Sequence, residues 1–315
     1  MNTPLVLVDM MNLVFRSHYA HRHLSFDGQP TGVIYGVLKS LQSLRKQFGD
    51  RIIFCCDYGV PGDKRLPPWR LNHYEDYKKN RDNDPEKVKQ RELATSQIPA
   101  LYDMISALGY GFAGLPDCEA DDVIGMLASC EGEVVIYSGD KDLYQLLEGR
   151  RVRIARPKKT STGYELVNQA LVEAEFGIDI KDWPLYLALG GDNSDNIHVV
   201  HGLGPKKAIA IIQAGVDLRS PFELNSEKVK RLAAICESHW FTLRDVLEVT
   251  RIPRKLDDER VWPYNRGHIK RIESRADSYT RVVVGDEEEL MSKFQTFCAD
   301  YGMNEFLADR EKFIF

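Results

Sequence analysis

Nine carboxylates fall in five short clusters along the chain, and their type suits the binding of divalent metal ions. The clusters are Asp9; Asp57; Glu119, Asp121 and Asp122; Asp140 and Asp142; and Asp192 and Asp195. So many like charges repel one another when they come together, and a hard cation with oxygen ligands, such as Mg²⁺ or Mn²⁺, is the usual compensation. A single Asp after a strand is as readily explained by a turn or a helix N-cap. Five clusters together favour a metal site.

Three of these acids follow apolar runs that have the composition of buried β-strands. Asp9 follows the run at 5–8, and Asp57 follows the run at 52–56. Asp140 follows the run at 134–137 after an intervening Ser-Gly pair. In an open sheet of parallel strands, ligands and catalytic groups gather at the carboxyl ends of the strands. We therefore expect these three acids to converge.

Strand-like and helix-like segments alternate through the first 190 residues or so. The predicted strands are 5–8, 52–56, 134–137 and 151–155. The predicted helices are 32–48, 92–108, 119–129 and 142–147. This alternation is typical of an α/β domain with a mostly parallel sheet. Beyond residue 215 the patterns predict only helices, at 226–238, 240–248 and 287–300.

The composition is that of a globular, water-soluble protein. With 315 residues, 43% hydrophobic and 28% charged, the chain can form a sizeable core. It shows neither an amino-terminal signal pattern nor a membrane-spanning apolar run, so we expect a cytoplasmic protein. The six cysteines include no C-x-x-C pair and fit reduced core positions. His18, His21 and His23 are close enough to suggest zinc, but no cysteine or second histidine pair accompanies them at finger spacing.

Basic residues are concentrated in two stretches, although the net charge is −5. Residues 150–159 carry six basic residues and no acid, and 64–91 carry nine Lys or Arg against five Asp or Glu. The second stretch belongs to a polar insertion at 57–91. There Tyr77 is followed by Lys78 and Arg81, a stacking ring beside phosphate-seeking cations, which suits single-stranded nucleic acid. An exposed helix with ordinary surface charges is the alternative.

A glycine-containing turn at 202–208 opens another predicted helix. Gly202 and Gly204 precede Lys206 and Lys207. Backbone N–H groups at such a helix N-terminus, with lysines beside them, can hold a phosphate. The spacing of a nucleotide-binding P-loop is absent.

Taken together, these segments resemble the metal-dependent 5′ nucleases. This family comprises flap endonucleases, phage 5′ exonucleases and the 5′-nuclease domain of bacterial DNA polymerase I, and the resemblance covers about residues 4–215. It rests on VDMMNLVFRSHYA at 8–20, QPTGVIYGVLKSL at 29–41, YKKNR at 77–81, EADDVIG at 119–125, SGDKDLYQL at 138–146, GDNSDNI at 191–197 and GLGPKKA at 202–208.

The resemblance implies a PIN-like 5′-nuclease fold, in which helices flank a mostly parallel central sheet. It also implies a helical arch and a helix-three-turn-helix that binds duplex DNA. The expected organisation is a nuclease core at 1–190 with the arch at about 57–91, a duplex-binding region at 191–250 and a C-terminal helical extension at 251–315.

The implied activity is that of a structure-specific 5′-3′ exonuclease or flap endonuclease. It would hydrolyse phosphodiester bonds at 5′ ends, flaps or RNA primers in DNA replication and repair, using two Mg²⁺ or Mn²⁺ ions. In the family, the acids around the more tightly held metal match Asp9, Asp57, Glu119, Asp121, Asp122 and Asp140. Those around the second metal match Asp142, Asp192 and Asp195.

The resemblance also assigns contacts with DNA. Lys78 and Arg81 match the basic residues at the scissile phosphate, and Tyr77 matches the aromatic residue beside them. The remaining predicted DNA contacts are Arg16, Arg70, Gly202, Gly204, Lys206 and Lys207. Relatives often hold K⁺ in the glycine turn, and the stretch at 198–201 (HVVH) departs from their usual Pro or Arg followed by Gly-Val. The expected partners are branched or 5′-ended DNA and RNA–DNA hybrids, bound by a monomer that needs no membrane.

Two other functions fit parts of the sequence. A protein that only holds branched DNA would lack acids of the second group, and Asp142, Asp192 and Asp195 are all present. A PIN-like ribonuclease would share the acidic core but would need neither the glycine turn nor the arch.

Overall fold

A central β-sheet organises the structure, a computed structural model that describes residues 3–82, 84–130, 132–158, 163–197, 203–215, 236, 239–254 and 287–307. The strands in these ranges are β1 (Leu5–Asp9), β2 (Ser25–Phe26), β3 (Gln29–Pro30), β4 (Ile52–Cys56), β5 (Gly111–Gly114), β6 (Val134–Tyr137), β7 (Val152–Pro157) and β8 (Tyr164–Val167). The helices are α1 (Met10–His21), α2 (Gly32–Phe48), α3 (Pro85–Thr95), α4 (Ile98–Ala107), α5 (Ala120–Cys130), α6 (Gln169–Phe176), α7 (Trp183–Gly190), α8 (Pro205–Gln213), α9 (Trp240–Thr250) and α10 (Glu287–Asp300).

The main sheet has six strands in the order β5-β4-β1-β6-β7-β8. Strand β1 pairs in parallel with β4 on one side and with β6 on the other. Only β8 runs antiparallel, at the edge next to β7. The structure therefore confirms the predicted α/β fold with a mostly parallel sheet, while β2 and β3 form a separate two-stranded hairpin.

Both faces of the sheet are covered, which explains why its strands are continuously apolar. Side chains alternate between the faces of a strand. Accordingly, Leu5 and Leu7 of β1 join one hydrophobic core, which includes much of α5. Val6 and Val8 join the core on the other face, which includes buried residues of α1, α2 and α4. All five residues of β1 are buried.

Helix α10 belongs to the hydrophobic core on one face of the sheet. Its Phe294, Phe297 and Cys298 are buried in the same cluster as Val6 and Val8. Phe306, in the 3₁₀ turn Asn304–Phe306, is 1% exposed and lies edge-to-face against Tyr35 of α2. The described part of the predicted extension, 287–307, thus packs onto the sheet domain. The boundary placed at 251 stays a prediction.

Helices α7, α8 and α9 form a third hydrophobic cluster. Ala188, Ile211 and Val246, one from each helix, are fully buried in it. The apolar side chains that helices α8 and α9 of the predicted duplex-binding region bury lie in this cluster. Apart from Cys236, the predicted helix at 226–238 lies outside the described residues.

Several elements differ from the sequence prediction. The single helix predicted at 92–108 is wrong, because two helices cover this stretch: α3 ends at Thr95 and α4 begins at Ile98. Pro99 lies in the first turn of α4, where its missing N–H breaks no hydrogen bond within the helix. The helix at 142–147 is a 3₁₀ turn, Asp142–Leu146. Helices α1, α6 and α7 and strands β2, β3, β5 and β8 had no prediction. Among the helices of the described ranges, none combines the length with the apolar composition of a membrane span.

Candidate metal centre

The carboxyl ends of three adjacent strands bring the first acids together. Asp9 ends β1, Asp57 directly follows β4, and Asp140 follows β6 after Ser138 and Gly139. They surround a cavity of about 240 Å³. Of the nine predicted acids, the ones that line this cavity are Asp9, Asp57, Glu119, Asp121, Asp140, Asp142, Asp192 and Asp195. The predicted convergence at the strand ends is therefore confirmed.

Helix α5 presents its N-terminus to the same cavity. The helix begins at Ala120, so Glu119 stands just before it and Asp121 lies in its first turn. The Ala120 N–H donates to Asp57 Oδ1 at 2.8 Å, which joins the end of β4 to the end of the helix. A helix N-terminus carries a partial positive charge and favours carboxylates at this position.

The three acids assigned to a second metal also lie together. One carboxylate oxygen from each of Asp142, Asp192 and Asp195 lies within 4.8 Å of the other two. Gly191, with a φ of +73°, ends α7 and turns the chain into the loop that carries Asp192 and Asp195. Asp192 Oδ1 accepts the Ser194 N–H at 2.6 Å, which fixes the loop.

The cavity holds more negative charge than its surroundings compensate. Burial, with the nearby charges of Asp57 and Asp140, raises the pKa of Asp9 from 3.8 to about 7. Burial and neighbouring acids also raise the pKa of Asp142 well above its usual range. Burial works in the same direction on Glu119, but the charges of Lys78 and Arg70 outweigh it and lower the pKa of that carboxyl. A bound cation would favour the ionised form of these acids.

Tyr77 and Lys78 bridge the two groups of acids. The Tyr77 hydroxyl lies 2.7 Å from Glu119 Oε2 and 3.0 Å from Asp195 Oδ2. The Lys78 ammonium contacts Glu119 Oε1 and lies 3.7 Å from Asp195 Oδ1. Lys78 adopts a φ of +58°, a backbone conformation that is costly for a residue with a Cβ atom. Of the YKKNR motif, Lys78 therefore lines the cavity, and Tyr77 is buried against two of its acids.

The insertion is fastened to the loop of the second acid group. The Lys78 N–H donates to the Asp195 carbonyl at 3.0 Å. The side chain of Asn80 donates to the Asn193 carbonyl, and that of Asn196 donates to the Asp76 carbonyl, both at 2.7 Å. These bonds hold Lys78 and Asp195 in a fixed relation.

The predicted DNA contacts occupy different environments. Lys206 and Lys207 are exposed in the first turn of α8, directly after its N-cap residue Gly204. Arg16 is half-buried and donates to the Lys158 carbonyl. Gly202, the HVVH stretch at 198–201 and the side chain of Arg81 lie outside the described residues.

Arg70 differs most from its prediction, because it is a buried residue. It is 2% exposed and forms ion pairs with Glu119, Asp121 and Asp122. That position leaves little surface for a phosphate and runs against the predicted contact of Arg70 with DNA.

Several residues at the centre had no sequence prediction. The Tyr58 hydroxyl donates to Glu119 Oε1 at 2.6 Å, and the Ser138 hydroxyl donates to Asp9 Oδ2 at 2.8 Å. Trp69 Nε1 donates to Asp122 Oδ2 at 2.9 Å. Tyr58 directly follows Asp57, and Ser138 precedes Asp140 by two residues. This closeness in sequence to a predicted metal ligand is the signal that could have identified both. Within the described residues, His18, His21 and His23 form no group of potential metal ligands, and His18 Nε2 instead lies 2.9 Å from Gln90 Oε1.

Comparison with known proteins defines the class to which this fold and site belong. Residues 4–177 match the family model of the 5′-3′ exonuclease N-terminal, resolvase-like domain. The chain belongs to this 5′-3′ exonuclease family. It is 36% identical to a 5′-3′ exonuclease of Aquifex aeolicus, over 66% of this chain and 68% of that protein.

The DNA polymerase I relatives are much longer. The chain is 34% identical to DNA polymerase I of Deinococcus radiodurans over 70% of its own length, but it matches only 22% of that protein. Among solved structures, T5 5′-exonuclease with bound divalent metal ions (zinc) shares the fold, with a TM-score of 0.61 and 20% sequence identity. That similarity covers 94% of this chain and 98% of the T5 protein.

Proposed function

We propose that this protein is a structure-specific 5′-3′ exonuclease or flap endonuclease that hydrolyses phosphodiester bonds at 5′ ends, flaps or RNA primers in DNA. The observation that carries the proposal is a cavity lined by eight carboxylates, in a chain of the 5′-3′ exonuclease family. Carboxylates alone bind a phosphate backbone poorly, because both are anions. A cavity of this kind needs cations before it can receive DNA.

The donor set fits two hard divalent cations, and Mg²⁺ or Mn²⁺ is the proposed pair. Asp142, Asp192 and Asp195 would hold one ion, since their oxygens already lie within 4.8 Å of one another. The acids proposed for the other ion are Asp9, Asp57, Glu119, Asp121 and Asp140. Several of these would act through water, because Mg²⁺ retains part of its hydration shell. When bound, two such ions activate a water molecule, orient the phosphate and stabilise the leaving oxygen.

Lys78 and Arg81 would supply fixed positive charge to the phosphate. Lys78 lines the cavity beside the acids, and its side chain is 17% exposed, so it retains some contact with solvent. Negative charge grows on the phosphate oxygens in the transition state, and a preorganised cation stabilises it there. Tyr77 would hold Glu119 and Asp195 in place beneath Lys78 while the 5′ strand enters.

Helix α8 would bind the backbone of the duplex. Its N-terminus follows Gly204 and carries the exposed Lys206 and Lys207, so N–H groups and ammonium groups face the same region. Gly202 and a K⁺ ion in the turn complete the proposed duplex site, within a duplex-binding region at 191–250, and Arg16 of α1 would make a separate contact with DNA. Contacts of this kind go to phosphates and would not depend on base sequence.

Cleavage of a DNA flap labelled at its 5′ end tests the proposal. With Mg²⁺ we expect short labelled products from a 5′ flap, little cleavage of a matching 3′ flap, and no products in EDTA. Binding of the flap without cleavage under any divalent cation would indicate a protein that only holds branched DNA. Faster cleavage of single-stranded RNA than of the flap would indicate a PIN-like ribonuclease.

A further inference from the structure

Asp122 is placed differently from the other eight acids. It is 0% exposed and lies behind the cavity wall. Its Oδ1 accepts Arg70 Nη2 at 2.8 Å. Its Oδ2 accepts Arg70 Nη1 at 2.7 Å, Trp69 Nε1 at 2.9 Å and the Glu119 N–H at 3.0 Å. Four protein donors therefore surround this buried carboxylate, and both of its oxygens accept hydrogen bonds.

Every N–H donor of Arg70 is engaged in turn. A guanidinium has five N–H donors. Besides the two bonds to Asp122, Nη1 lies 3.4 Å from Glu119 Oε2 and Nη2 lies 3.1 Å from Asp121 Oδ2. The fifth donor, Nε, bonds the carbonyl of Val249 at 3.0 Å. Each donor therefore has a protein acceptor.

The Val249 bond connects the metal centre to the helical region. Val249 is in the last turn of α9, where helix carbonyls have no partner within the helix. Helix α9 packs in one cluster with α7 and α8. The next residue, Thr250, is also held, because its carbonyl accepts Gln145 Nε2 at 2.9 Å. Through Arg70, two cavity acids and the proposed duplex-binding region share one rigid link.

We propose that Arg70 and Asp122 are a buried positioning pair, and that neither binds metal or DNA. Asp122 fixes the plane of the guanidinium, which in turn orients Glu119 and Asp121 and ties them to α9. The inference rests on the proposed function, because it assigns how two of the proposed metal-binding acids are oriented. It leaves eight carboxylates to hold metal, five around one ion and three around the other.

Counting Mn²⁺ ions by electron paramagnetic resonance tests the role of Asp122 without any nuclease assay. The full chain is titrated as wild type, Asp122→Asn and Asp142→Asn. We expect Asp122→Asn to retain the wild-type number of sites with affinity weakened up to about 100-fold, as for a residue that orients ligands. Asp142→Asn should lose one site. Loss of a site in Asp122→Asn would overturn the proposal.

Arg70→Lys tests the role of Arg70 in the positioning pair, and it replaces the first test if Asp122→Asn does not fold. It keeps a positive charge but loses the planar fork and the bond to Val249. We expect kcat on a 5′ flap to fall about 10- to 100-fold while KM and duplex affinity in EDTA stay unchanged. Lys206→Ala is the matched control, in which duplex affinity falls and depends less on salt.

Two results for Arg70→Lys would refute the positioning role. Weaker duplex binding with unchanged kcat would make Arg70 a DNA contact. A lower melting temperature with wild-type kcat and Mn²⁺ affinity would make it a structural residue alone. If the wild type binds Mn²⁺ but cleaves no flap, the proposed function fails, while the Mn²⁺ count still decides the assignment of Asp122.

Discussion

The buried carboxyl of Asp9 makes the stability of the metal-free protein depend on pH. Its pKa is raised to about 7 in the folded chain, whereas the ordinary value is 3.8. Between these values the folded chain retains a proton that the unfolded chain has lost. A raised folded-state pKa stabilises the fold below the ordinary pKa, and this stabilisation is lost as pH rises through 7. In EDTA, therefore, the free energy of unfolding should fall with rising pH.

The size of the effect follows from the difference between the two pKa values. The span from 3.8 to about 7 corresponds to about 4 kcal/mol in total. About 3 kcal/mol of this should be lost between pH 5 and pH 8. The pKa of Asp142 is raised for the same reason and acts in the same direction. Burial lowers the pKa of His21 from its ordinary value of 6.5. At pH values below 6.5 this shift makes the free energy of unfolding rise with pH, which is opposite to the effect of Asp9.

Urea unfolding of the wild type and of Asp9→Asn in EDTA isolates the contribution of Asp9. The amide is neutral at every pH, so the difference in unfolding free energy between the two proteins removes the effect of His21 and of other distant groups. We expect this difference to favour Asp9→Asn by about 3 kcal/mol more at pH 8 than at pH 5. Saturating Mg²⁺ should reduce the change, because a cation favours the ionised acid. A difference that is flat with pH, or that favours the wild type at pH 8, would refute this reasoning.

Three further predictions concern residues around the cavity. Lys78→Ala should lower kcat on a 5′ flap about 100-fold or more, and weaken duplex binding much less, in parallel cleavage and binding assays; loss of binding alone would contradict its role. Asn196→Ala should weaken the second Mn²⁺ site in a titration, because it removes the bond to the Asp76 carbonyl from a residue with a φ of +59°; unchanged affinity would count against the coupling of insertion and loop. Gly125→Ala should destabilise the fold by about 1–3 kcal/mol in thermal unfolding, because the added Cβ would lie 2.4 Å from Ile252 Cγ2. Wild-type stability would show that the segment around Ile252 shifts away from the new methyl group without cost.

The parts of the fold that could be predicted are those encoded by runs of residues that are contiguous in the sequence. Strands β1, β4 and β6 are apolar runs buried on both faces, and each is followed within three residues by an acid. Parallel pairing then brings Asp9, Asp57 and Asp140 to one edge without further information. Helix α2 has the predicted bounds, 32–48.

The parts that could not be predicted depend on tertiary contacts. Arg70 stands in a basic, polar insertion, so its sequence context is that of an exposed residue. Its burial requires Glu119, Asp121 and Asp122 from α5 and a carbonyl 179 residues away in the chain. Nothing local encodes that arrangement.

The separation of Asp122 from the other eight acids could not be predicted from the sequence, for the same reason. Asp121 and Asp122 are adjacent in an EADD motif and look equivalent. The helix directs Asp121 to the cavity and Asp122 away from it, towards Trp69 and Arg70. Which of two neighbouring acids faces the cavity depends on how α5 packs on the sheet.

The most direct test of the metal centre is the rate at which Asp142→Asn cleaves a 5′-labelled flap at saturating DNA and Mg²⁺. Asp142 lines the cavity and belongs to the group of three acids whose oxygens lie within 4.8 Å of one another. Asp103→Asn, an exposed acid of α4, is the matched control. We predict a loss of more than about 100-fold for Asp142→Asn, with duplex binding and the Asp103→Asn rate unchanged. Equal rates for Asp142→Asn and the wild type would contradict the assignment of this cavity as the catalytic metal centre.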